Sequence, residues 1–137
     1  MQITAKVASS PTTHQVTVQT GDTAKALSIP HKTDKQGSAV NGGEFLMLAL
    51  ATCYCNDLYR EAKRLGIPVD AVEVEASATF PGVGLAATDI TYLASVQSQA
   101  PAEDVQRLLR ETDAVAEIHN TVRAGVPVRL VPLSLRD

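Results

Sequence analysis

Apolar and polar residues alternate from Gln2 to Val7 and again from His14 to Thr20, on either side of Ser9-Ser10-Pro11-Thr12-Thr13. A period of two interrupted by turn residues predicts a β-hairpin. A third short strand, Ala24 to Ile29, follows Gly21-Asp22, and the polar, breaker-rich stretch from Pro30 to Gly43 predicts a loop. From Glu44 to Leu65 there is no Pro or Gly; Gly66 and Pro68 then mark a helix end. That helix would run for about 22 residues, roughly 33 Å. Its first two turns, Glu44 to Ala51, are apolar nearly all round, the pattern of a helix covered on every side, and in so small a chain such cover calls for a second subunit. Its second half sets Arg60, Glu61, Lys63 and Arg64 against Leu58, Ala62 and Leu65, so burial is expected to fall along the helix.

Alternation returns from Val72 to Phe80 and from Asp89 to Gln97 around Pro81-Gly82-Val83-Gly84, a second long hairpin. Pro101, with Glu103 and Asp104 in the first turn, opens a second helix whose apolar positions Val105, Leu108, Leu109, Thr112, Val115 and Ala116 keep helical spacing to about Val122. Gly125 closes it, and Val126 to Leu135 reads as a last strand that Pro127 and Pro132 place at a sheet edge. The expected order is βββ-α-ββ-α-β, an α+β fold. With 137 residues, 45% of them hydrophobic, one core is the expectation, and residues 1–137 form one domain.

Charge narrows the function classes. Twelve basic residues against 15 acidic ones, a net charge of −3 and no basic run provide no footprint for nucleic acid or an anionic membrane surface. The longest apolar run, Phe45 to Ala51, is too short to span a bilayer, and the opening MQITAKVASS alternates like a strand instead of forming an export leader. A cytoplasmic protein is therefore expected. Two cysteines separated by one residue are not a disulfide framework, and reduced thiols are the expectation.

Candidate chemistry centres on the first helix. Cys53 lies about two and a half turns in, between Thr52 and Tyr54, with Cys55 two residues on. A buried cysteine also serves as a small hydrophobe, the plainer reading here. Residues two apart on a helix project about 200° apart, so these two sulfurs cannot pair while the helix is intact. Glu73 and Glu75 share one strand face, the ordinary signature of a solvated sheet. His14, His31 and His119 are scattered without ligand spacing and read as surface or turn residues. No phosphate-cradling loop or serine-hydrolase elbow occurs, and neither a metal nor another cofactor is expected.

The run from Asn41-Gly42-Gly43-Glu44-Phe45-Leu46 through Leu48-Ala49-Leu50-Ala51-Thr52-Cys53 resembles the signature of the OsmC/Ohr family, whose opening Asn-Pro-Glu/Gly-Glu-Leu-Leu leads into an Ala/Leu-rich helix ending at a cysteine. The similarity continues at Ala62 to Val69 and Asn120 to Val128. It implies an intertwined homodimer with central cysteine-bearing helices, active sites at the subunit interface, and reduction of hydroperoxides by a thiolate that an Arg and a Glu activate and a second cysteine resolves. Cys53 matches the attacking cysteine. The usual Cys-Pro-x-Ser segment falls on Ala116-Glu117-Ile118-His119, no arginine precedes Arg60, and the glutamate position falls on Gly43, with Glu44 one step along. This is a divergent branch without the second cysteine and the N-terminal arginine.

The expectation is thus a thiol protein that reduces or senses hydroperoxides through Cys53, with Glu44 and Cys55 as secondary candidates and Lys25, Lys32 or Lys35 supplying a cation. Its expected partners are a second copy of itself, a small hydroperoxide and an external thiol reductant. The rival expectation is a non-catalytic dimer that binds an apolar small molecule in the same interface cleft, with Cys53 as wall.

Overall fold

The computed structural model describes residues 1–34 and 36–132. The chain divides into two compact units, Met1–Leu46 and Met47–Asp137. The mixed α+β class read from the sequence is the one observed: β1 (Ile3–Ser9), β2 (His14–Thr20), β3 (Thr23–Leu27), α1 (Gly42–Leu65), β4 (Ala71–Thr79), β5 (Thr88–Gln97), α2 (Ala102–Val115) and α3 (Glu117–Ala124).

In the first unit β1, β2 and β3 form an antiparallel meander in that order. The β1–β2 turn is tied by the Ser10 N–H to the Thr13 carbonyl at 2.9 Å and by the two hydroxyls at 2.7 Å. Gly21 takes the left-handed conformation, φ 55°, that the tight β2–β3 turn needs. The register pairs Val7 with Val16 and Val16 with Leu27, so these residues share one face with Ile3, Ala5 and Val18. Only Val16 on that face is buried; Ile3 is 63% exposed and Val7 61%. The predicted loop carries one bridge, His31 to Ser38, before α1 starts at Gly42.

The second unit has the core. Tyr54, Leu58, Ala62, Ile67, Leu108 and Ala116 are buried together. Tyr54, Leu58 and Ala62 recur every four residues on α1, and the inward positions of the antiparallel β4–β5 hairpin, Val72, Val74, Tyr92, Ala94 and Val96, pack against them. Glu73 and Glu75 lie on the opposite, exposed face, as the alternation requires. A register shift between Ser77 and Thr79, together with a positive φ of 53° at Asp89, bends the hairpin where β5 begins.

Three expectations are corrected. The second half of α1, expected to emerge toward solvent, is buried within the single chain: the buried residues run from Leu50 to Ala62 and include Asp57 and Glu61, whereas Leu48 is 57% exposed. The second half of α1 is the part packed on the hairpin and α2, and its acids are paired with Arg60 and Arg64. The helix predicted from Pro101 to Val122 is two helices, parted at Ala116, whose backbone is extended (φ −74°, ψ 108°). The break holds because side chains of α3 cap the end of α2: Asn120 Nδ2 donates to the Ala114 carbonyl at 3.1 Å and Arg123 Nη1 to that of Asp113 at 3.3 Å. Gly125 closes α3 in the left-handed region as expected, but residues 126–132 form no strand among the described residues. A strand needs a neighbouring ladder, and Val128 and Leu130 are almost fully exposed. The remaining part of that predicted strand lies outside the described residues.

Candidate functional site

Cys53, Asp57 and Arg60 stand four and three residues apart on α1 and therefore share one helix face. The break at Ala116, which is fully buried, starts α3 at Glu117 and brings that carboxylate to the same place. The Cys53 thiol donates to Asp57 Oδ2 at 3.4 Å and lies 3.9 Å from Glu117 Oε2. Arg60 Nη1 reaches Asp57 Oδ1 at 3.0 Å and Glu117 Oε1 at 3.6 Å, while its Nε holds Glu61 at 3.3 Å. Asp57 is only 6% exposed, and a carboxylate so placed requires such a partner.

Burial pushes the Cys53 thiol above its ordinary 9.0; a backbone contact at Ile118 opposes this, and the Asp57 and Glu117 carboxylates push it further up. Burial also raises Asp57, assisted by Glu117 and opposed by the Cys53 hydrogen bond and Arg60. Glu117 is held below its ordinary value by its own backbone N–H at the start of α3 and by Arg60, against the effect of burial. Of the two acids Asp57 thus has the higher proton affinity. Chemically this is a protonated thiol hydrogen-bonded to a base, not a preformed thiolate.

The same three side chains, Cys53, Asp57 and Glu117, offer ligand atoms within 4.8 Å of one another, a donor set that a divalent cation of zinc type accepts. Arg60 already provides positive charge to both carboxylates.

The other sequence candidates lie elsewhere. Cys55 is free and lines a separate groove with Ala51, Thr52, Asn56 and Val74. Glu44, in the first unit, is engaged in a capping box: its Oε1 accepts from the Asn41 N–H at 3.0 Å, and its own N–H donates to Asn41 Oδ1 at 2.8 Å. Arg60 is the cation paired with the carboxylates around the thiol; Lys25 and Lys32 belong to the first unit, and Lys35 lies outside the described residues.

Asp57, Arg60, Glu117 and His119 are the residues that sequence reasoning passed over. Helical spacing from Cys53 would have found the first two. His119, taken for a surface residue, is 3% exposed, with its ring 4.4 Å from that of Tyr92 and 5.7 Å from that of Tyr54.

The model of the family described as OsmC-like protein matches residues 35–131. The chain belongs to the OsmC-like family. An OsmC-like protein from Mycoplasma pneumoniae superposes with a TM-score of 0.64 at 17% identity, over 91% of this chain and 87% of that one. An organic hydroperoxide resistance protein OsmC from Legionella pneumophila superposes at 0.60 and 15% identity, over 90% of each chain. An organic hydroperoxide resistance protein from Elizabethkingia anophelis gives 0.60 at 16%, over 90% and 89%. No curated protein sequence matches. At these identities the shared property is the fold. Within this OsmC-like chain, the segment Ala116 to His119, where the resemblance places the family's second cysteine, does reach Cys53, and it presents the Glu117 carboxylate there.

Proposed function

We propose that the chain reduces a small organic hydroperoxide through Cys53, as a thiol protein of oxidative or osmotic stress defence. The observation that carries this reading is the 3.4 Å hydrogen bond from the Cys53 thiol to Asp57. The family and the names of the Legionella and Elizabethkingia structural neighbours support it. As the sulfur attacks the terminal peroxide oxygen, an S–O bond forms and the O–O bond breaks; the thiol proton passes to Asp57, which returns it to the departing alkoxide. The products are a sulfenic acid and an alcohol, the sulfur oxidised and the peroxide reduced by two electrons. An external thiol then releases water and forms a mixed disulfide, and a second thiol regenerates Cys53. Arg60 and Glu117 keep Asp57 aligned throughout.

We further propose that residues 1–137 act as one domain in a homodimer, in which a second copy covers the apolar β-sheet face and the early turns of α1. Ile3, Val7 and Leu48, all more than half exposed in the single chain, support this reading.

Turnover of cumene hydroperoxide with a dithiol reductant tests the chemistry. Cys53→Ser is expected to abolish it. Asp57→Asn is expected to act in opposite directions on two readouts, speeding alkylation of Cys53 at neutral pH because a thiol-raising carboxylate is gone, while lowering turnover at least tenfold because the proton carrier is gone. Equal turnover in wild type and Cys53→Ser overturns the peroxidase. The pushed-up thiol favours the rival reading, a cleft that binds an apolar molecule with Cys53 as wall, and absent turnover with an unreactive thiol decides for it.

A further inference from the structure

Of the two acids beside the thiol, one stands in solvent: the side chain of Glu117 is 68% exposed and that of Asp57 8%. Each divides its oxygens between the sulfur and Arg60. Asp57 Oδ2 and Glu117 Oε2 lie 3.4 Å and 3.9 Å from Cys53 Sγ, while Asp57 Oδ1 and Glu117 Oε1 lie 3.0 Å and 3.6 Å from Arg60 Nη1. The guanidinium thus engages the two oxygens that the thiol does not.

The way the arginines are shared leaves negative charge over at this end of the network. Arg107 holds Glu111 at 2.6 Å; Arg64 holds Glu61 at 3.0 Å and reaches Glu111 at 3.4 Å. Arg60 holds Asp57 at 3.0 Å and is divided further between Glu61 at 3.3 Å and Glu117 at 3.6 Å. By their shortest contacts Arg107 answers Glu111, Arg64 answers Glu61 and Arg60 answers Asp57. Glu117, on the longest contact of the set, is the acid without a cation of its own in this network. Its own backbone N–H at the start of α3 keeps it ionised, and such a helix start supplies only about half a positive charge.

We infer that Glu117 is a specificity-determining residue that makes the approach to Cys53 selective for charge: neutral and cationic reactants reach the sulfur, and carboxylate-bearing ones are repelled. Its bearing on substrate rests on the proposed peroxide reduction. There the hydroperoxide is an alkyl or aryl one without an acid group, and the thiol that regenerates Cys53 is an uncharged or amine-bearing one, not an acidic peptide thiol. Before attack the sulfur carries its proton beside the Asp57 carboxylate; afterwards a neutral sulfenic acid stands beside the same carboxylate. The charge of that pair is unchanged, so Glu117 acts alike on the peroxide and on the reductant.

Alkylation of the full chain by iodoacetamide and by iodoacetate, read at Cys53 by peptide fragmentation, tests the selection without peroxide. Both reagents meet the same thiolate, so the ratio of their rates does not depend on how much thiolate there is. Relative to Glu117→Gln, the wild type is expected to disfavour iodoacetate about threefold more at about 0.01 M salt, the worth of a unit charge about 6 Å away in water. At about 1 M salt, where the screening length falls to about 3 Å, the two proteins should converge. Glu117→Lys should shift the ratio beyond Glu117→Gln in favour of iodoacetate. During peroxide turnover, cysteamine should gain over mercaptoacetate as reductant in the wild type relative to Glu117→Gln. Equal alkylation ratios in wild type and Glu117→Gln at low salt, or alkylation of Cys53 by neither reagent, overturns the inference. Should the variants not fold, the wild type decides: a ratio equal to that of mercaptoethanol at low salt overturns it, and a higher ratio that falls with salt supports it. Charge selection without peroxide turnover removes the proposed reaction alone, and turnover with equal ratios removes this inference alone.

Discussion

Each of the residues that matter most has a charge state set by its neighbours. Asp57 could be read as an ordinary helix acid until the structure puts it 6% exposed between a thiol and Arg60. His119 shows the opposite case, a titratable ring with aromatic rather than charged contacts. Because burial lowers its affinity for a proton relative to the unfolded chain, the unfolded state binds more protons below 6.5, and stability should decline as pH falls from 7 towards 5. Asp113 works in a separate window. Burial alone would raise it, but the Tyr92 hydroxyl and Arg123 hold it below 3.8, so its contribution is present above that value and is lost as pH falls through its lowered pKa. Melting temperatures from pH 7 to pH 3 should therefore fall in two stages, and His119→Phe should flatten only the upper one. A single acid transition that is the same in both proteins would contradict these assignments.

Two features of helix α1 separate structural from chemical roles. Glu44 and Asn41 complete the start of α1, so Asn41→Ala should cost about 1 kcal/mol in urea unfolding. Glu44→Gln keeps the capping box and should leave peroxide turnover unchanged. A large loss of turnover in Glu44→Gln at unchanged stability would instead give Glu44 the role that the resemblance suggests. In the body of α1, Leu58 is fully buried, and Leu58→Ala should lower stability by about 2–5 kcal/mol. The α2–α3 break was not legible, because Leu108, Leu109, Thr112, Val115 and Ala116 keep their helical spacing right up to it. Hydrophobic periodicity records which face is buried; it does not record where the carbonyls of α2 find side-chain donors from the next helix.

For the whole molecule, the exposed apolar residues of the first unit are the main issue. A β-meander with one buried side chain, Val16, does not stabilise itself, since small units bury too little of their surface. Sedimentation is expected to show a species of twice the 14.5 kDa chain mass. Val7→Lys should shift it towards the single chain and lower its melting temperature, although Val7 is 61% exposed in one copy and the substitution would otherwise be near neutral. A monomeric wild type indifferent to Val7→Lys would remove the dimer.

By itself the sequence determined the α+β class, the two hairpins, the long cysteine-bearing helix with its Gly66 stop, and the family, because these depend on local periodicity, turn residues and a contiguous signature. Tertiary structure alone decided what surrounds Cys53. Glu117 lies 64 residues further on and reaches the thiol only because the chain breaks at Ala116, while Asp57 and Arg60, within helical reach all along, acquire their meaning when packing buries the acid and leaves the arginine as its partner. Burial and long-range pairing set the charge state of a thiol, and neither is a property of a residue's neighbours in sequence.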